Sequence, residues 1–152
     1  MLEITGNLWD QKADAICVTT NGSVRKDGKA VMGRGCALQA KKRFPGVDET
    51  LGAMLKEFGN HVTFLKKLRN CYVFSFPIKE RWQDDPDREL IHRSALEIRK
   101  YADLFGYKRV LISRPTNRKP SWNQVKPVLE DILDNRFCIV SDLSQKGETS
   151  CT

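Results

Sequence analysis

Residues Asn21–Pro45, NGSVRKDGKAVMGRGCALQAKKRFP, carry the fold assignment. The run before them, Ala13–Thr20, is largely apolar and reads as a buried strand. Glycines then turn the chain until a helix opens at Gly33-Arg34-Gly35 and runs over Cys36–Arg43. It stops at Phe44-Pro45-Gly46, because proline disfavours helix in the residue before it. The small residues Gly33, Gly35, Cys36 and Ala37 leave backbone N–H groups uncovered at a helix N-terminus. Those donors, with the positive end of the helix dipole, make a seat for phosphate.

Two familiar phosphate loops are excluded. Gly28–Gly35 reads GKAVMGRG, so arginine replaces the Walker lysine and glycine replaces the hydroxyl that holds magnesium. The dinucleotide fingerprint G-x-G-x-x-G fails because Leu38 stands where its third glycine belongs.

Outward from this loop, Leu2–Thr5 reads as a short strand followed by a turn at Gly6-Asn7-Leu8. Val47–Phe58 repeats Leu51, Met54, Leu55 and Phe58 at helical spacing, with Gly59 as its stop. Val62–Leu65 and Cys71–Phe76 read as strands joined by the basic linker Lys66–Asn70. Phe76–Asp87 is irregular, and Asp87 caps a helix whose apolar face runs from Leu90 to Phe105. Arg109–Ser113 is a buried strand and Arg114–Ser121 a polar, basic loop. Ser121 and Gln124 form a capping-box pattern for a helix to about Asn135, with Pro127 awkward inside it. Phe137–Val140 is the last strand. The alternation predicts a three-layer α/β/α sandwich with a mixed, mostly parallel central sheet. One domain spans 1–141, and 142–152 is a polar, frayed tail.

The 152 residues carry 26 Lys and Arg against 19 Asp and Glu, a formal charge of +7. That excess favours an anionic partner such as nucleic acid or a phosphorylated ligand, or is simply a solvated basic surface. The five cysteines include no C-x-x-C pair, and Cys17, Cys71 and Cys138 lie in apolar runs. A disulfide framework or metal site is therefore not expected. His61 and His92 read as solitary. No signal-like or membrane-length segment is evident, so the expected location is the cytoplasm, with no membrane partner.

On these residues the chain resembles the macro domains, the ADP-ribose-binding fold. Gly6-Asn7-Leu8 matches that family's GNL-type opening, the strand ending at Asn21 its buried strand, and VMGRGCALQAKKRFPG its loop and helix. Phe76-Pro77-Ile78-Lys79 and the MGRG loop resemble the subgroup that removes ADP-ribose from nucleic acid bases or carboxylates. That subgroup includes DNA ADP-ribosyl hydrolase antitoxins. The resemblance covers Leu2–Val140.

The resemblance implies a monomeric ADP-ribosyl glycohydrolase-type enzyme acting on nucleic acid or protein, without cofactor or metal. Its catalytic residues would be Lys79, acting at the anomeric carbon of the distal ribose, and Asn21, hydrogen-bonded to that ribose. Lysine can do this only if burial or neighbouring cations free its amine, a task that falls to Arg81, with Trp82 as an apolar wall. Ligand binding would involve Asn7 at the adenine, Leu8, Met32, Gly33, Arg34, Gly35, Cys36, Ala37, Thr116, Asn117 and Arg118. Read without the family, Asn21 and Asn7 are turn residues and Lys79 is a solvated surface lysine.

The chain departs from the family at Arg114–Trp122. This stretch lacks the glycines that wrap a diphosphate and the acid implicated in catalysis. Arg118 and Lys119 could hold phosphate by charge instead. Two further readings therefore stay open: dephosphorylation of ADP-ribose 1''-phosphate, and a non-catalytic reader of ADP-ribose, a nucleotide or nucleic acid.

Overall fold

The computed structural model describes residues 1–142. Its strands are β1 (Leu2–Thr5), β2 (Ala15–Asn21), β3 (Phe64–Lys67), β4 (Tyr72–Lys79), β5 (Val110–Ser113) and β6 (Phe137–Ser141). Its helices are α1 (Gly35–Arg43), α2 (Val47–Phe58), α3 (Arg88–Phe105) and α4 (Trp122–Glu130). The strands form one sheet in the order β1-β6-β5-β2-β4-β3, parallel except for the edge strand β3.

Period-two alternation in the buried strands sends successive side chains to opposite faces, which explains why these strands read as continuous apolar runs. Ala15 and Cys17 join the core beneath α3 and α4, with Phe74, Phe76, Ile91, Ile98 and Leu129. Ile16 and Val18 join the core beneath α1 and α2, with Ala37, Ala40, Val47 and Leu51. Two apolar layers flank the sheet, and the expected α/β/α sandwich is the observed one.

Several boundaries differ from the sequence expectation by a residue or two, and three elements differ in ways that matter to the fold. β4 runs on through Pro77 to Lys79, whereas the segment was expected to turn irregular at Phe76. Proline is tolerated there because the β3 side accompanies β4 only as far as Ser75, whose N–H donates to the Thr63 carbonyl, so Pro77 lies past the end of that ladder. β3 also takes in Lys66 and Lys67, which were expected to be a turn; Lys67 pairs with Tyr72. α4 does include Pro127 but ends at Glu130, and the Leu129 carbonyl accepts from both Ile132 and Leu133 to close it. The capping box of Ser121 and Gln124 is present, as is the Asp87 cap of α3. The expected frayed tail falls almost entirely on residues 143–152, outside the described residues.

Candidate functional site

The five parallel strands end on one rim of the sheet, and the loops leaving them carry the residues singled out in the sequence. At the centre, β2 ends in Asn21 beside Lys79, the last residue of β4. A register shift makes this pairing: Thr20 opposes Pro77, and Asn21 then opposes Lys79 in place of the core residue Ile78. The Gly22 N–H donates to the carbonyls of Lys79 and Glu80, which locks the two strand ends together.

The side chain of Asn21 braces the following loop. Its Nδ2 donates to the Val31 carbonyl at 3.1 Å, and its Oδ1 accepts from the Ser23 N–H at 2.9 Å. One amide proton and one lone pair remain for another partner. The braced loop folds back as a hairpin, with Arg25 N–H on the Lys29 carbonyl and a bridge between Val24 and Ala30, and delivers the chain to Gly33.

Gly33, Arg34 and Gly35 are exposed, whereas Met32, Cys36 and Ala37 are buried in the core under α1. Among the described residues no acceptor takes the N–H groups of Gly33 through Ala37; the first bonded amide is Leu38, which donates to the Arg34 carbonyl. Gly35 has φ +54°, the left-handed region, and space beside Gly33 and Gly35 is open. Five consecutive unbonded donors thus stand at a helix N-terminus, two of them at glycines beside open space. The loop is seated on neighbouring strand ends: Ser113 at the end of β5, whose hydroxyl is bonded to Thr19, and Asp142 beyond β6 both lie close enough to act on the Cys36 thiol. Burial dominates that thiol and pushes its pKa up to about 11, so it is a packing group and not a nucleophile.

Lys79 is half-buried, and its pKa lies below the ordinary lysine value. Burial is the main cause and the Arg34 guanidinium the next, while Asp85 and Asp84 act in the opposite direction. The cation pressing on Lys79 is therefore Arg34, from the glycine loop, and not the expected Arg81. Arg81 is held by Asp84 at 3.0 Å, and Trp82, expected as a wall, is half exposed with its N–H on Ser23 Oγ.

The remaining residues divide. Asn7 caps the short turn Leu8–Asp10, its Oδ1 accepting from the Trp9 N–H at 2.9 Å, so its turn role is present. Leu8 is buried in the core with Met32. In the loop after β5, Thr116 is buried with its hydroxyl donated to the Pro120 carbonyl at 2.6 Å. Among the described residues Asn117 keeps a buried Oδ1 with no partner, and the exposed Arg118 has no ion pair. Arg114 turns away to stack on Trp122 at 5.1 Å.

Sequence reading missed Asn60. Its Nδ2 donates to the Lys79 carbonyl at 3.1 Å, and its own Oδ1 is buried with no partner among the described residues. The contact joins residues nineteen apart, and no local motif announces it. His61 also proved to be accompanied: its Nδ1 lies 2.7 Å from Glu97, which accepts from the Val62 N–H as well. Among the described residues no group of three His, Cys, Asp or Glu side chains is placed to hold a metal ion. No described helix is long and apolar enough to cross a membrane.

No protein-family model matches the chain, and no curated protein does. Solved structures do. The macrodomain of Thermus aquaticus DarG is similar with a TM-score of 0.76 at 21% identity, over 92% of this chain and 96% of that one. The macrodomain of Mycobacterium tuberculosis DarG gives 0.73 at 20% identity, over 92% and 96%. Thermosipho africanus DarTG, solved in complex with ADP-ribose, gives 0.74 at 18% identity, over 94% of this chain and 42% of that one.

Proposed function

We propose, from the premise that the chain has the macrodomain fold, that it binds ADP-ribose at the carboxyl rim and hydrolyses ADP-ribosyl linkages on nucleic acid or protein. The observation that carries this reading is the open row of unpaired amides from Gly33 to Ala37, adjoining a lysine of lowered pKa. The amides suit a pyrophosphate, which accepts several hydrogen bonds at once in the field of a helix dipole. Lys79 and the spare hydrogen-bonding capacity of Asn21 then face the distal ribose. The binding of ADP-ribose by the Thermosipho africanus neighbour supports the ligand class.

In the reaction the bond from the anomeric carbon to the modified nitrogen or oxygen breaks. The hydroxyl of water ends on that carbon, and its proton goes to the departing base or carboxylate. A neutral Lys79 amine serves either as transient nucleophile at the anomeric carbon or as the group that orients the ribose. Asn117, with its buried unpartnered oxygen, is the group of the second loop best placed to accept from a ligand hydroxyl.

Incubating ADP-ribosylated single-stranded DNA and ADP-ribosylated protein with wild type and Lys79→Ala tests the proposal. Release by wild type, reduced at least a hundredfold in the variant, is expected. Calorimetric binding without any release selects the non-catalytic reader, which the glycine-free Arg114–Ser121 loop favours.

A further inference from the structure

At the end of β4 far from Lys79, six aromatic side chains enclose a second pocket of about 360 Å³: Phe64, Tyr72, Phe74, Tyr101, Phe105 and Tyr107. β4 climbs about 3.3 Å per residue, so Tyr72 and Lys79 lie roughly 23 Å apart. The rings interlock at centroid distances between 5.0 Å (Phe74–Tyr101) and 6.3 Å (Phe74–Tyr107). Phe64 and Phe105 are nonetheless 45% and 59% exposed, so ring faces stay open to solvent. All three tyrosines of the chain are here, and among the described residues none of their hydroxyls has a hydrogen-bond partner.

Cations border the rings in sequence, and one carboxylate, Asp14, lies close enough to act on Tyr107 while accepting from the Lys108 and Arg109 N–H groups. Lys67 lies 5.7 Å from the centroid of the Tyr72 ring, Arg69 is in the turn between β3 and β4, and Lys100 and Lys108 flank Tyr101 and Tyr107 in sequence. All four are exposed, and none has an ion pair among the described residues. Open ring faces accept a flat aromatic group, free phenol hydroxyls serve a base edge, and unpaired cations draw an anionic backbone. This combination of stacking platform and basic rim suits single-stranded nucleic acid. A cationic guest meets Lys67 already over the ring, and a second copy of this chain would bring like charges together.

We propose that this aromatic pocket stacks an unpaired base of single-stranded nucleic acid, its phosphates drawn to Lys67, Arg69, Lys100 and Lys108. This site is separate from the rim and would hold a strand whether or not the rim hydrolyses anything.

Because every tyrosine lies in the pocket, protein labelled with 3-fluorotyrosine reports on it alone. Titration with fluorescein-labelled oligothymidine should shift the fluorine resonances saturably and raise the anisotropy, with ADP-ribose failing to displace the strand. Phe105→Ala should weaken binding about 5- to 150-fold, the range for losing one stacked base. Lys67→Gln should lower the log–log salt slope by about 0.7, the share of one phosphate contact on a single strand. Thermal melts verify that both variants are folded, and the exposed Lys67 keeps the test decisive should Phe105→Ala unfold. The proposal is overturned by no binding, by binding that leaves the fluorine resonances unmoved, or by self-association through the pocket in sedimentation.

Discussion

At Lys79 the local charges set a direction that activity can read. Burial and Arg34 lower its pKa below the ordinary lysine value, so the neutral amine becomes available at lower pH than for a solvated lysine. If the neutral form acts, kcat for ADP-ribose release should rise with pH through that lowered pKa and then level off. Arg34→Gln removes the like charge, restores part of the protonated form, and should move the profile to higher pH. Asp85→Asn removes an opposing charge and should move it to lower pH. Profiles that do not move in either variant would take Lys79 out of proton chemistry. A second pair of residues separates ligand approach from folding. A Cβ on Gly33 meets nothing within 4 Å and its φ is not in the left-handed region, so Gly33→Ala should leave the melting temperature unchanged. Its methyl would nevertheless stand where a phosphate must approach, and ADP-ribose affinity should fall at least tenfold by calorimetry. Gly35→Ala should lose affinity and also about 1–2 kcal/mol of stability, because its φ of +54° strains any residue with a Cβ.

Among the elements, those with strong periodicity or local signals were legible and those set by distant contacts were not. The cap at Asp87, the box at Ser121 and the two-sided apolar strands all appear as read, because each depends on residues a few positions apart. β4 defeated the reading at Pro77, since whether proline fits a strand depends on where the neighbouring strand stops. The glycine loop was read correctly as a helix entrance, but the pairing of Asn21 with Lys79 needs a bulge that neither strand announces alone. The same holds for Arg34, whose effect on Lys79 arises only when loop and strand end meet in space. Gly52 is a further case, which the helical spacing of α2 does not single out: a Cβ there would lie 2.0 Å from the Gly28 carbonyl oxygen and 3.0 Å from the Ala30 nitrogen. Both are backbone atoms of the hairpin that delivers the chain to Gly33. Gly52→Ala must push that hairpin away, and overpacking against backbone should cost about 3 kcal/mol. In a domain of this size that lowers the melting temperature by roughly 6–12 °C. An unchanged melt would mean the hairpin is free to move and does not fix the loop.

For the molecule as a whole, folding and the rim are coupled through the sheet. Two apolar layers clamp the parallel strands, and only the strand ends leave polar backbone to loops. The rim therefore concentrates groups that have no partner among the described residues: the amides of residues 33–37 and the side-chain oxygens of Thr20, Asn60 and Asn117. Buried oxygens without partners raise the free energy of the folded state, and a ligand that satisfies them recovers that energy only in the folded state. ADP-ribose at one hundred times its dissociation constant should stabilise the protein by about 2.7 kcal/mol. By differential scanning fluorimetry that is a rise of roughly 5–11 °C. ADP, which lacks the distal ribose, should give a smaller shift, and Lys79→Ala should retain most of the full one if its task is chemistry more than binding. Equal shifts with ADP and ADP-ribose would place no part of the ligand beside Lys79 and Asn21, and the hydrolase proposal would fail while the phosphate seat stood.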